Sequence, residues 1–217
     1  MLSRIITIAG QIGESALSVV GIRAGTEEPA HTVEALTDNV QIRRYAPRIA
    51  AETTVIGDEQ QSRSAGFRAL ARYIFGANHR RDKIAMTAPV AQHRDPEHRD
   101  GARIAMTSPV AQSQKSLHGW VIRFYMPAKW TMDTLPEPDD PDVRLLRVPA
   151  ETLAVLRFSG DRGARTVQTR TDELRETLRE YGFDPTGPAA AWFYDPPWTL
   201  PFRRRNEIAI PVNDSGS

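Results

Sequence analysis

Apolar and polar residues alternate along several short stretches of this chain, a pattern typical of β-strands that bury one face. The stretches with this pattern are residues 40–55, 120–126, 143–148, 151–158, 191–194 and 207–212. Pro47 divides the first stretch into two strands, and Pro149 separates the third from the fourth, because proline cannot donate a hydrogen bond to a neighbouring strand. The pattern therefore predicts strands in both halves of the chain.

Two longer stretches, residues 62–77 and 162–181, repeat apolar residues every three or four positions, which predicts amphipathic helices. On the first helix the apolar face consists of Phe67, Leu70 and Ile74. On the second helix it consists of Val167, Leu174, Leu178 and Tyr181. We expect Asn78 to end the first helix in a left-handed conformation and Gly182 to stop the second.

The N-terminal residues 1–22 also have a helical apolar pattern, but charged residues interrupt it. The stretch has no continuous apolar core and no small-residue cleavage site, so a signal peptide is not predicted. We expect an amphipathic helix within residues 1–25 that packs on the protein or on a partner. A membrane-surface helix is the alternative, although its polar face is not rich in Lys and Arg. Residues 25–37 are predicted to be a linker, and residues 213–217 a disordered tail.

One ten-residue segment occurs twice. Residues 83–92 read KIAMTAPVAQ and residues 103–112 read RIAMTSPVAQ, so eight of the ten positions are identical. In the first copy Ile84, Met86 and Val90 alternate with other residues, which indicates a strand. The polar residues 93–102 between the copies are typical of a turn. We therefore predict that the two copies form the strands of a hairpin.

A strand–strand–helix–strand unit thus occurs twice, in residues of about 40–130 and 143–212. This repetition predicts an α+β fold with pseudo-two-fold symmetry, built as a single domain over residues 26–212. A chain of 217 residues is long enough to bury a core without disulfide bonds.

Composition excludes several functions. The 28 Lys and Arg balance 27 Asp and Glu, which argues against a broad nucleic-acid surface. The chain has no cysteine, so disulfides, thiolate metal sites and a cysteine nucleophile are excluded. No apolar run approaches the twenty or so residues of a membrane span, and we expect a cytoplasmic protein.

No sequence motif identifies a reaction. The chain lacks a Gly-x-Ser-x-Gly elbow, a phosphate-binding glycine loop and a His-Glu-x-x-His helix, so no catalytic residue is predicted. A serine triad stays open, because triads are recognised by geometry. Residues 93–100 combine His93 and His98 with carboxylates that could hold zinc, but a solvated, charged turn is the favoured interpretation.

Five motifs resemble the SOUL haem-binding protein family. They are KIAMTAPV at residues 83–90, IAMTSPV at 104–110, FYMP at 124–127, LPEP at 135–138 and YDPPWTLPFRRRNE at 194–207. The resemblance covers residues of about 21–212 in the order of the family. It implies a bacterial protein with a distorted β-barrel or curved antiparallel sheet flanked by two helices. The implied ligand is haem or a free porphyrin, held non-covalently.

The resemblance also implies where the ligand lies. Family members hold the porphyrin in an open cleft between the first helix and a loop near the C-terminal motif, with basic residues on the propionates. Carried over by position, the site consists of Phe67, Arg68, Ala71, Arg72, Trp198 and Arg203. Arg72 stands where such members have a lysine, and Thr199 replaces another lysine. Core packing is the alternative role for Phe67.

The sequence departs from the family at the iron. Some members have a histidine before the tyrosine of the first strand, where this chain has Arg44, which cannot ligate iron. His79, at the end of the first helix, is the best substitute ligand, although an exposed loop histidine is the alternative. We therefore expect weak or no axial ligation.

Three functions follow as alternatives. The preferred one is a non-catalytic protein that takes up haem reversibly in an open cleft, for buffering or transfer. The second is a small-molecule-binding or sensing module of the same two-half fold, for another apolar anion. The third is a hydrolase or tetrapyrrole-modifying enzyme whose residues the sequence does not reveal.

Overall fold

A computed structural model of the protein describes residues 26–95, 118–195 and 198–213. Within these ranges the strands are β1 (His31–Ala35), β2 (Val40–Tyr45), β3 (Arg48–Gly57), β4 (Val90–Arg94), β5 (His118–Tyr125), β6 (Arg144–Val148), β7 (Glu151–Phe158), β8 (Ala190–Phe193) and β9 (Asn206–Pro211). The helices are α1 (Glu59–Ile74) and α2 (Ala164–Glu180), and a 3₁₀ turn covers Pro201–Arg203. The predicted N-terminal helix, the second copy of the repeat and almost all of the predicted tail lie outside the described residues.

The nine strands form one antiparallel sheet in the order β1-β2-β7-β9-β8-β4-β5-β3-β6. Without the edge strand β1, this order is symmetric about the β8–β4 pair. Each strand on one side corresponds to the strand at the same distance on the other side. The unit β2-β3-α1-β4-β5 therefore corresponds to β6-β7-α2-β8-β9. The first strand of each unit pairs with the other unit, β2 with β7 and β6 with β3. The prediction of a pseudo-two-fold α+β fold, a curved antiparallel sheet with two flanking helices, is confirmed.

Both helices pack on the sheet through apolar stripes, which is the main source of their stability. Under α1 the buried side chains include Leu70, Tyr73, Ile74, Ile122 and Phe124. Under α2 they include Leu156, Leu174, Leu178, Ile208 and Ile210. These two clusters hold the helices on β3 and β5 and on β7 and β9, respectively.

A third buried cluster combines aromatic side chains with charged ones. The Arg48 guanidinium lies 4.0 Å from the Tyr45 ring and 4.5 Å from the Tyr125 ring. Glu207 is fully buried, and its carboxylate accepts bonds from Arg43 at 2.8 Å and from the Tyr194 hydroxyl at 2.6 Å. Burial alone would raise the pKa of Glu207, but these bonds and the nearby positive charges leave the pKa below its usual value. This part of the molecule is a packed, charged core.

The ends of α1 differ from the prediction. The helix begins at Glu59 rather than at residue 62, because the Asp58 carboxylate caps it by accepting the Gln61 N–H at 2.9 Å. The left-handed residue after the helix is Gly76, with φ of 114°, and not Asn78. The Asn78 side chain instead donates to the Tyr73 carbonyl at 3.0 Å, which buries its amide.

The strand predicted within residues 84–90 is also wrong in position. β4 begins only at Val90, because Pro89 cannot extend a ladder and the preceding segment makes separate bonds. The Ile84 N–H donates to the Ile74 carbonyl at 2.8 Å, and the Thr87 hydroxyl donates to the Tyr125 carbonyl. These contacts hold the segment between α1 and the sheet.

Two smaller predictions are wrong. Residues 25–37 are not only a linker, because β1 lies within them and pairs with β2. Its side chains are mostly exposed, so it has no apolar alternation that the sequence could reveal. On α2, Tyr181 is 52% exposed, and Thr171 occupies the buried stripe in its place. Gly182, with φ of 74°, follows this helix as predicted.

Candidate functional site

The loop between β8 and β9 exposes three large apolar side chains. Trp198 is 64% exposed, Leu200 39% and Phe202 69%. The loop backbone is nevertheless anchored, because the Thr199 carbonyl accepts the Arg204 Nε–H at 2.8 Å and the Pro201 carbonyl accepts the Gly160 N–H at 2.9 Å. Apolar groups that a fixed backbone holds in solvent are typical of binding surfaces. We call residues 194–205, apart from the undescribed residues 196 and 197, the C-terminal loop.

One flank of α1 presents a second apolar group. Phe67 is 38% exposed, and its ring packs edge-to-face on the buried Phe124 ring at 5.4 Å between centroids. Ala71, one turn later, is partly buried. Arg63 lies one turn before Phe67 and therefore on the same flank. Phe67 thus combines a packing contact with an open face.

Arg162, just before α2, connects this flank to the C-terminal loop. Its Nη1 donates to the Asp195 carbonyl at 3.1 Å, and its own carbonyl accepts a bond from Arg63 Nη1 at 3.4 Å. Both guanidinium groups lie over the buried Phe193 ring, Arg63 at 4.3 Å and Arg162 at 5.7 Å from its centroid. Two cations and an aromatic ring therefore join α1 to the base of the loop.

The two arginines differ in their partners. Arg63 pairs with Glu59 at 3.0 Å, and its Nε donates to the Gln92 side chain at 2.7 Å. Within the described residues, Arg162 makes no ion pair. Burial, followed by repulsion from Arg63 and Arg204, lowers the pKa of Arg162 to about 10. Asp195 and Asp161 act in the opposite direction but do not cancel this effect.

Of the remaining predicted site residues, Arg72 and His79 lie at another place on the surface, whereas Arg203 lies in the C-terminal loop. Arg72 pairs with Asp140 at 3.1 Å, in the loop before β6. His79 lies beside the same loop, with Nδ1 3.2 Å from the Glu137 carboxylate. Arg203 is exposed at the end of the 3₁₀ turn. The contacts therefore attach Arg72 and His79 to the loop at residues 134–142, and not to the C-terminal loop.

Arg68 belongs to a separate open depression of about 820 Å³. Its lining residues are Val55, Ile56, Asp58, Gln60, Gln61, Ser62, Ser64, Ala65 and Arg68. It thus lies between the end of β3 and the first half of α1, and Phe67, Ala71 and Arg72 are not among its lining residues. Arg68 makes no ion pair within the described part of the chain.

The positions considered for a metal ion can be judged only where the structure describes them. In residues 26–95, 118–195 and 198–213, no three His, Asp or Glu side chains are close enough together to hold a metal ion. Of the candidate segment 93–100, the structure describes only residues 93–95, and His93 lies on β4. Arg44 pairs with Glu34 of the edge strand β1 at 3.1 Å.

A search of the same described residues for helices found none with the length and apolarity that crossing a membrane requires.

Arg63, Arg162 and Phe193 were not predicted as site residues. The bond between Arg63 and Arg162 spans 99 positions in sequence, so no local pattern relates them. The one available signal was that Arg63 precedes Phe67 by a helical turn. Arg63 lies on α1, Arg162 just before α2 and Phe193 on β8. Only the tertiary fold therefore brings the two arginines onto the same ring.

Comparisons with known proteins concern the family and the fold of the chain. The profile of the family described as SOUL heme-binding protein matches residues 26–211. Heme-binding protein 2 from Homo sapiens is 30% identical over 171 residues, which are 77% of this chain and 75% of that protein. Among solved structures, the EcmrR C-terminal domain has a TM-score of 0.55 at 12% identity, covering 80% of this chain and 96% of that chain. A structure described as a hydrolase from Listeria innocua has a TM-score of 0.53 at 11% identity, covering 82% and 94%.

The two structural comparisons, at such low identity, show a common fold and nothing about the activity. The family profile, in contrast, matches sequence over residues 26–211, which include α1 and the C-terminal loop, and the human relative matches 77% of the chain. The chain belongs to the SOUL heme-binding protein family.

Proposed function

We propose that this protein binds haem or a related tetrapyrrole, non-covalently and reversibly, on the surface between α1 and the C-terminal loop. The observation that carries the proposal is the link from Arg63 through Arg162 to Asp195, because it connects the helix that carries the exposed Phe67 to the base of the loop that carries the exposed Trp198. Family membership and the name of the human relative support the choice of ligand.

The chemistry of these residues fits a tetrapyrrole. Its macrocycle is flat and apolar, and it requires an apolar wall, which Phe67, Trp198 and Phe202 offer. Its two propionates require cations, for which arginine is well suited because of its planar fork. The exposed Arg203 stands next to Phe202 and extends the basic rim of the loop. We include Arg68, Ala71 and Arg72 as neighbouring contacts of the same helix.

We propose that the iron is weakly ligated or not ligated at all. His79, the candidate ligand, has ring nitrogens 3.2 Å from Glu137 and 3.8 Å from Asp139, so ligation would compete with these carboxylates. Arg44, which replaces the histidine of other members, offers no ligand atom. Binding by the macrocycle and its propionates would make affinity nearly independent of the metal.

We further propose a role in buffering or transfer of the tetrapyrrole in the cytoplasm, without catalysis. An open, surface-exposed site supports this role, because it allows release as well as uptake. In this proposal residues 26–212 act as one domain of two related halves, and residues 1–22 provide a contact with a protein partner or a membrane surface. No nucleic acid takes part.

Titration with hemin tests the proposed function. We expect a saturable shift of the Soret band with one haem per chain. Phe67→Ala and Trp198→Ala should each weaken binding by about ten- to a hundredfold, because each removes apolar contact of the order of 1.5–3 kcal/mol. Tyr181→Ala is the matched control, since Tyr181 is 52% exposed at the C-terminal end of α2, the end away from Arg162, and it should leave affinity unchanged.

A non-saturable signal equal to that of a serum albumin blank treated in the same way would contradict the proposal. Equal losses of affinity in all three variants would also contradict it, because they would indicate nonspecific binding of hemin to exposed aromatic side chains. Turnover assays with ester and porphyrin panels complete the test, and we expect no product above a buffer control.

A second candidate function is the binding of a smaller apolar anion. The depression beside Arg68 favours it, because a cation without an ion pair lies there with Val55 and Ile56. In that case Arg68→Gln would abolish binding of an anionic aromatic probe such as anilinonaphthalene sulfonate, while Trp198→Ala would not affect it.

A further inference from the structure

We infer that Arg162 is the anion anchor of the ligand site and that it binds a carboxylate of the ligand, with Arg63 supporting it from α1. This inference rests on the proposed function and names the group that recognises the propionate. Neither arginine was among the residues carried over from the family resemblance.

The position of Arg162 is fixed on both sides. Its Nη1 bond to the Asp195 carbonyl, 3.1 Å long, holds the guanidinium at the base of the C-terminal loop. The bond from Arg63 Nη1 to the Arg162 carbonyl, 3.4 Å long, holds its backbone against α1. The side chain therefore needs little rearrangement to receive a ligand, which reduces the entropy lost on binding.

The donors of Arg162 are largely unused. A guanidinium has five N–H donors, and within the described residues Arg162 uses its side chain in one hydrogen bond, to a neutral carbonyl. No N–H of Arg162 is among the buried donors without a partner, so the remaining donors are not completely buried. A carboxylate approaching from the solvent side would find a planar pair of donors, the geometry that arginine offers to carboxylates.

The surrounding charges favour an anion. Arg63 and Arg162 share one face of the structure around Phe193, and Arg204 lies close enough to repel Arg162. The direct ion pair with Glu59 belongs to Arg63, not to Arg162. A bound carboxylate would therefore offset repulsion that the protein leaves in place.

The alternative anchors on α1 are less suitable. Arg72 already pairs with Asp140 at 3.1 Å, and a ligand carboxylate would have to displace it. Arg68 lines the depression between the end of β3 and the first half of α1, and no residue of the C-terminal loop is among the lining residues of that depression. Of these three arginines, Arg162 is the one whose side chain, within the described residues, bonds to the base of the loop that carries Trp198.

The test compares metal-free protoporphyrin IX with its dimethyl ester, so that iron ligation plays no part. The full chain should bind the diacid about tenfold more tightly than the ester, as expected for one charge-assisted hydrogen-bonded pair. Arg162→Gln should remove this preference by weakening the diacid about tenfold and leaving the ester unchanged. Arg162→Lys, which keeps a charge but loses the fork, should fall between the two.

Arg165→Gln is the matched control, because Arg165 is exposed in the first turn of α2 and makes no ion pair within the described residues. It should keep the preference for the diacid. If the wild type prefers the diacid and Arg162→Gln keeps that preference, the anchor is wrong and the proposed function stands. Equal binding of both porphyrins by the wild type would likewise contradict the anchor and leave the proposed function standing. If wild type binds neither porphyrin, the proposed function fails and the anchor fails with it. Circular dichroism of each variant excludes unfolding, and Arg162→Lys carries the test if Arg162→Gln does not fold.

Discussion

At the scale of single residues, the sequence predicted the exposure of apolar side chains better than the partners of charged ones. Trp198 was expected in an exposed loop because prolines surround it, and it is 64% exposed. Phe67 was left between core and site, and the structure shows both a packing contact and an open face. Arg72 could not be judged in this way, because its partner Asp140 lies 68 positions away in sequence. Ion pairs between distant segments follow from the fold, and no local pattern encodes them.

His93 gives a prediction about pH. Burial, and next the positive charge of Arg123, lowers its pKa to about 4, whereas Glu52 and Asp95 act in the opposite direction. An unfolded histidine has a pKa of about 6.5, so the unfolded state takes up the proton first. The contribution of neutral His93 to stability is therefore complete above about pH 6.5 and is lost as the pH falls towards 4.

We expect the free energy of unfolding to fall by about 2–3 kcal/mol over this range because of His93. Urea unfolding at pH 7.5, 6 and 5 measures the loss. His93→Ser is the control, since serine occupies the equivalent position after the second copy of the repeat, and it should show a smaller loss. Equal losses in the two proteins would show that His93 titrates normally in the folded state.

At the scale of elements, periodicity predicted most strands and both helices, because these elements bury one face. It missed β1, whose side chains are mostly exposed and which is held by pairing with β2. It also extended β4 backwards over Ile84, which is buried in the α1 cluster from an irregular segment. Alternating apolar residues indicate that one face of a segment is buried. An irregular segment that is buried but makes no strand-to-strand hydrogen bonds can give the same pattern.

The repeated segment gives a prediction about this part of the sheet. Arg94 and Trp120 are paired across β4 and β5. Deleting residues 93–112 leaves Ser113 and Gln114 to complete β4 and shortens the connection from 25 residues to five. We expect the sheet to form, with a free energy of unfolding higher by about 1 kcal/mol because the shorter loop costs less entropy to close.

Deleting residues 83–102 instead gives the matched variant, which differs only in having Arg for Lys83 and Ser for Ala88. Because Ala88 is 4% exposed, its replacement buries a hydroxyl group, and this variant should be less stable by about 1–2 kcal/mol. Circular dichroism and urea unfolding measure both variants. Failure of both to fold would show that the fold requires the two copies together.

At the scale of the whole molecule, the repetition of strand, strand, helix and strand predicted the architecture. The symmetric strand order confirms the two-half organisation of the fold, and it adds that each half contributes its first strand to the other. That exchange was not predictable, because pairing between distant strands depends on the global topology. The exchange couples the halves, so α1 of the first half and the C-terminal loop of the second keep a fixed relation through Arg162.

The central claim is that the ligand occupies the surface between α1 and the C-terminal loop. Amide NMR spectra of the labelled protein with and without one equivalent of hemin test it most directly, because the paramagnetic iron broadens nearby resonances. The account predicts broadening centred on Arg63, Phe67, Ala71, Arg162 and residues 198–204. Broadening centred on Arg44, on the Val55–Ile56 depression, or spread evenly over the surface would contradict it.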